Sequence, residues 1–278
     1  MIVITSDTEL RKYVPNVFRS AAGEMSFFEK IKPHIDAAEQ WLASVITGDR
    51  LLEKISNEEE NSPKRINATT IVVSEAMRLA IPSLDLVLTS NGYGIVSNQT
   101  VAPASKERVE RLIRSITDAR DRAICGLLEL LRLDIDWQQS DCCDWFATTF
   151  VNNPISLLQL KQPGESLWLR FLAERPKIQH TESRISRLFL GDEYLFFLRQ
   201  CSVGKATPNE EDLHIMRQLE SIVVGSLSGE LQKSSLVAMV NVIRQNPEAF
   251  PIWHGSPISY FYKAESFKNK KENHGYFF

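Results

Sequence analysis

The sequence lacks the features that would place it in several large classes of protein. No apolar run approaches the roughly 20 residues that span a bilayer, and the opening stretch, Met1 to Lys12, is charged too early for a secretory signal. Cysteine is scarce. Cys125, Cys142, Cys143 and Cys201 are too few to frame a chain of 278 residues with disulfides, and no Cys-x-x-Cys pair or clustered Cys/His spacing points to structural zinc. Reduced thiols in a soluble, cytoplasmic protein are therefore expected. An excess of either charge is also missing: Lys+Arg 32 against Asp+Glu 35 leaves a net charge of -3. That balance argues against nucleic-acid binding through a phosphate-neutralising face. What is present is 43% hydrophobic residues, enough for one large core or two of ordinary size.

An internal repeat organises the chain. Pro176-Lys177-Ile178 lies 143 positions after Pro33-His34-Ile35, and the same shift, without a gap, brings Glu39 onto Glu182, Leu42 onto Ile185, Ile46 onto Phe189, Gly48-Asp49 onto Gly191-Asp192 and Leu52 onto Leu195. Apolar matches at helical spacing are common between unrelated amphipathic helices. The equal proline-to-glycine distance and the two Gly-Asp pairs favour duplication. The expected fold is mainly α: two related helical bundles, 1–136 and 137–278, with a β-hairpin inserted in the first near 85–98.

Both halves follow one local grammar. Ser6-x-x-Glu9 reads as a capping box opening a short helix before Pro15. Ser26 to about Ile46 carries one apolar stripe, Gly48 suits the residue after a helix, and Asp49 suits the N-cap of the next. Residues Asn57 to Arg65 read as a polar loop before a helix from Ala68 to Ile81, stopped by Pro82. Two β-prone runs flank Asn91-Gly92, the pair most tolerant of a type I′ turn. Ser105 then opens the longest helix, with an apolar stripe Val109, Leu112, Ile113, Ile116, Ala119, Ala123, Leu127, Leu130 and Leu131. In the second half the expected helices are Ser166 to Leu190, Tyr194 to Leu198, one capped by Thr207-Pro208 and running to Val224, and one capped by Ser228 and running to Gln245. From Phe250 to Phe278 nine aromatic rings crowd an expected extended tail.

No constellation reads as catalytic. Glu211-x-x-His214 has the spacing of a di-iron half-site, but no second copy exists, and a first-turn carboxylate is explained by the helix dipole. Cys142 and Cys143 lie between Asp141 and Asp144, which would raise a thiol pKa rather than activate it. Gly92-Tyr93-Gly94 lies well before Ser105 and so lacks the direct join to a helix N-terminus that phosphate-binding loops need. Lys268, Lys270 and Lys271 among aromatics are a diluted version of a single-strand nucleic-acid contact. No catalytic, cofactor-binding or metal residue is assigned, and no cofactor is expected.

The first half resembles a known group. A short Leu10-Arg11-Lys12-Tyr13-Val14 helix, an Ala38-x-x-Trp41-Leu42 helix closing on Gly48, and a helix carrying Ala76 into Ile81-Pro82 are similar to the small helical head-tail connector proteins of tailed bacteriophages. The stretches Ile81 to Thr89, Asn91 to Asn98 and Pro103 to Val109 resemble a prophage-encoded virion family. The resemblance covers Met1 to about Leu133 and implies a non-enzymatic structural protein in the host cytoplasm or the virion, self-associating or binding other virion proteins, without membrane or nucleic-acid contacts. Asn91, Gly92 and Tyr93 at the hairpin and Tyr276, Phe277 and Phe278 at the C-terminus are the expected interaction residues. The competing readings are a metal-dependent or hydrolytic enzyme assembled from distant residues, and a bacterial helical adaptor unconnected with phage.

Overall fold

The computed structural model describes residues 4, 6–14, 25–84, 86–89, 92–95 and 105–263. It is mainly α. The chain divides into two compact units with an interleaved boundary: the first holds 1–148, 152–175 and 202–205, the second 149–151, 176–201 and 206 onward. A single division near 136 is not what the chain adopts, because the short helices after residue 134 pack onto the first unit's own core.

In the first unit, α1 (Asp7–Tyr13) is capped by Ser6, whose hydroxyl accepts the Glu9 N–H, and α2 (Phe27–Leu42) opens on a full capping box of Ser26 and Glu29. The buried stripe of α2, Ile31, Ile35, Ala38 and Leu42, continues into Ile46. After Gly48 the chain enters α3 (Asp49–Ser56), which buries Leu51, Leu52 and Ile55. Helix α4 (Pro63–Leu84) is longer at both ends than the polar run and Pro82 suggest. Pro63 occupies the first helical position, where a missing N–H costs nothing, whereas Pro82 forgoes the bond its N–H would make to the carbonyl four residues earlier, and the helix runs only two residues beyond it. Helix α4 packs against α2 and against α5 (Lys106–Leu131). Between α4 and α5, Leu86–Thr89 pairs antiparallel with Gly92–Ile95, with Leu88 opposite Tyr93 and Thr89 opposite Gly92. Helices α6 (Ile135–Gln138) and α7 (Asp141–Ala147) follow, then a 3₁₀ segment, Pro154–Leu160.

Helix α8 (Leu167–Ile185) contributes to both units. The second unit continues with α9 (Asp192–Ser202), α10 (Glu210–Ser226), α11 (Lys233–Gln245), α12 (Pro251–Gly255) and α13 (Ile258–Lys263). The N-cap of α10 is Asn209, not Thr207: its side chain accepts the Asp212 N–H at 2.6 Å while Asp212 accepts the Asn209 N–H at 3.1 Å. Helix α11 starts at Lys233 rather than near Gly229. The segment expected to be extended from Phe250 is helical as far as Lys263, because Phe250 and Trp253 are fully buried and anchor its turns to the core.

Candidate functional site

Each unit contains the same local device, built on a widened helix end. Helix α2 does not stop at Leu42 but opens into a π-turn, Ala43–Thr47, closed by the Gly48 N–H donating to the Ala43 carbonyl at 2.8 Å. Helix α8 opens likewise into Ser186–Leu190, closed by Gly191 N–H to the Ser186 carbonyl at 2.9 Å. Gly48 (φ 80, ψ 150) and Gly191 (φ 77, ψ 156) occupy a backbone region open essentially to glycine alone. Asp49 and Asp192 then begin α3 and α9.

A helix end leaves carbonyls without intrahelical partners, and burial makes an unpaired one costly. Both units answer with a tryptophan. The Trp137 indole N–H on α6 donates to the Ile46 carbonyl at 2.7 Å, and the Trp253 indole on α12 donates to the Phe189 carbonyl at 3.0 Å. Ile46 and Phe189 are themselves matched by the 143-residue shift. Three residues after each tryptophan a serine turns the chain: Ser140 and Ser256 hydroxyls donate to the Trp137 and Trp253 carbonyls at 2.6 and 2.7 Å. The next short helix covers the turn, with Cys142 Sγ 3.8 Å from the Ala43 and Ser44 carbonyls in one unit and Tyr262 donating to the Leu188 carbonyl at 2.7 Å in the other. The recurring Trp-x-x-Ser at 137–140 and 253–256 was the sequence signal for this pairing. It lies 116 positions apart rather than 143, so the register that aligns the first part of the repeat hides it.

The two copies differ at the glycine. A Cβ placed on Gly191 would lie 3.0 Å from Ile258 Cγ2 and 3.2 Å from Ser256 Oγ, whereas one on Gly48 meets nothing within 4 Å. Counting from the tryptophans, the shorter Cys142 stands where the second unit has Ile258, and an open cleft of about 540 Å³ lies beside Gly48. Its walls include Thr47, Gly48, Asp49, Arg50, Asp141 and Cys142. Asp136, also on the wall, is paired with Lys54.

Two buried charged clusters, around Arg120 and around Glu182, are satisfied by their own partners. Arg120, 4% exposed, donates to Glu75 at 2.6 Å and to Asp121 at 2.8 Å, and Ser166 links Arg120 to Asp121. Burial pushes the Glu75 carboxyl up, but hydrogen bonds and charge from Arg78 and Arg120 outweigh it and hold the pKa below the usual value. Glu182, fully buried, accepts the Phe150 and Val151 N–H groups at 2.9 and 3.1 Å and the Arg199 guanidinium at 2.9 Å. Burial still leaves its pKa raised. Burial drives the thiols of Cys125 and Cys201 up to about 12 and that of Cys143 to about 11.

Of the expected interaction residues, Gly92 and Tyr93 lie in the second strand of the hairpin, while Asn91, Tyr276, Phe277 and Phe278 lie outside the described residues, as do Lys268, Lys270 and Lys271. Glu211 is exposed, and His214 Nε2 is 2.9 Å from the Gln218 amide. Among the described residues no group of three or more His, Cys, Asp or Glu side chains is placed to hold a metal ion, and no helix is long and apolar enough to cross a membrane. Cys142 and Cys143 lie in the first turn of α7, where the Ser140 hydroxyl accepts the Cys143 N–H at 3.2 Å.

A family of unknown function (DUF6712) matches residues 22–147. The match begins just before α2 and ends with α7, so it covers one complete round of the device, from the capping box through the π-turn to Trp137 and Ser140. No curated protein and no solved structure matches the chain.

Proposed function

We propose that the chain is a non-enzymatic assembly protein of the tailed-phage head-tail connector kind, built by duplication of one helical unit and acting in the host cytoplasm or the virion through contacts with further copies or other virion proteins. The observation that carries this reading is helix α5. Its apolar stripe continues unbroken from Leu131 back to Val109, yet burial reaches only as far as Arg120. From Lys106 to Ala119 no side chain is buried, and Leu112 is 48% exposed. A stripe of this kind is what a helix offers to a packing partner. The hairpin between α4 and α5 adds a two-stranded ladder, and such ladders gain from pairing with another chain or packing on one.

Duplication is supported by the shared π-turn, glycine conformation, indole cap and Trp-x-x-Ser turn. The proposal is tested by measuring the mass of the full chain in solution by light scattering and imaging it by negative-stain electron microscopy. A closed oligomer is expected. A strict monomer that also fails to bind co-expressed portal and tail proteins overturns the reading.

A further inference from the structure

We propose that the open cleft beside Gly48 is the receptor for the exposed N-terminal half of α5 from a second copy, with Leu112 entering the cleft and Arg108 and Arg111 meeting Asp49 and Asp141. The inference rests on the assembly reading above and names the contact.

Two independent observations lead to it. The second unit shows what this surface accepts: at Gly191 the same glycine corner is filled by an aliphatic side chain, Ile258, next to the Ser256 hydroxyl and the Glu193 carboxylate. The first unit keeps the corner and the indole cap, carries a shorter side chain at the filler position, and has polar residues at two positions where the second unit is apolar. Counting from the tryptophans, Asp141 replaces Pro257 and Cys142 replaces Ile258, and in the 143-residue register Thr47 replaces Leu190. A corner that had only lost its filler would keep apolar residues at those two positions. This one is complementary to an occupant with an aliphatic centre and a cationic rim.

The chain carries such an element. Arg108, Arg111 and Leu112 share one face of α5 by i, i+3 and i+4 spacing, and all three are exposed. The neighbouring Glu110 is engaged by Lys106 and Arg114 on the same helix. On the cleft side Lys54 holds Asp136, which leaves Asp49 and Asp141 to face the incoming guanidinium groups beside Arg50. A leucine side chain and two guanidinium heads fit within about 540 Å³. Because donor and receptor are different surfaces, the contact is head-to-tail, and repetition closes a ring or propagates a filament.

Charge reversal tests the pairing in the full chain. The variant Arg108→Glu/Arg111→Glu and the variant Asp49→Lys/Asp141→Lys should each lose oligomer mass by at least tenfold weaker association, with helix content by circular dichroism unchanged. Mixing the two should restore it, since each then offers the other a complementary partner. A second probe avoids charge altogether: Leu112→Cys should form an intermolecular disulfide with the native Cys142 under mild oxidation, seen as a ladder on non-reducing gels and abolished in Leu112→Cys/Cys142→Ser. If the wild type assembles but neither reversal weakens it and no ladder forms, the contact is wrong and the assembly reading stands. If the wild type never assembles, both fall.

Discussion

At the residue scale, single side chains hold geometries that the local sequence would not hold by itself. Trp137 and Trp253 each satisfy a buried carbonyl, and replacing either by Phe removes the donor and leaves a gap. A loss of about 2 kcal/mol or more is expected for each, read by calorimetry or chemical denaturation. Glu75 gives a pH dependence of defined sign. Its folded-state pKa lies below the ordinary carboxylate value of 4.5, so the stabilisation it brings is fully present above that pH and is lost as pH falls through the folded value. Glu75→Gln should therefore destabilise the protein at neutral pH, on the order of 3 kcal/mol for breaking a buried ion pair, and flatten the acid limb of the stability profile below pH 4.5. The thiols of Cys125, Cys143 and Cys201 stay protonated at neutral pH. Alkylation of the native protein should accordingly modify the half-buried Cys142 first, with the other three reacting only on unfolding, as mass spectrometry of a time course would show.

At the scale of the element, the π-turn explains why both long helices end where they do. Inserting the extra residue in the last turn rotates the chain so that the following glycine takes a positive φ and the aspartate after it starts a new helix. The two glycines make a paired prediction. Gly48→Ala meets only backbone strain, about 1–3 kcal/mol for a side chain in this region. Gly191→Ala meets that strain and a 3.0 Å approach to Ile258, so it should cost more. Equal losses in the two variants would contradict the difference between the filled and the open corner. The helix α5 shows the converse case, an element whose local pattern exceeds its local packing. Val109, Leu112, Ile113 and Ile116 continue the stripe past the point at which the first unit buries it.

At the scale of the molecule, removing the strands should separate folding from assembly. Replacing residues 86–95 with a short Gly-Ser linker takes away a ladder that pairs only with itself among the described residues. Helix content and melting temperature should be retained while oligomer mass falls; a melting temperature lowered by more than about 10 °C would assign the hairpin to the core instead. The sequence by itself determined a great deal of this architecture. Capping boxes at Ser6 and Ser26, apolar stripes at helical spacing, and the matched Gly-Asp corners are short-range features, and their consequences are set by backbone bonding within a few residues. Proline was the misleading local signal, since α4 continues past Pro82 for two residues despite the lost N–H donor. What only the tertiary structure decided is long-range. The carbonyl of Ile46 is completed by an indole 91 residues later, each unit is drawn from separate stretches of the chain instead of one, and the two Trp-x-x-Ser turns lie 116 rather than 143 positions apart. A buried carbonyl demands a donor but does not say from where along the chain it must come, and that choice is made by packing alone.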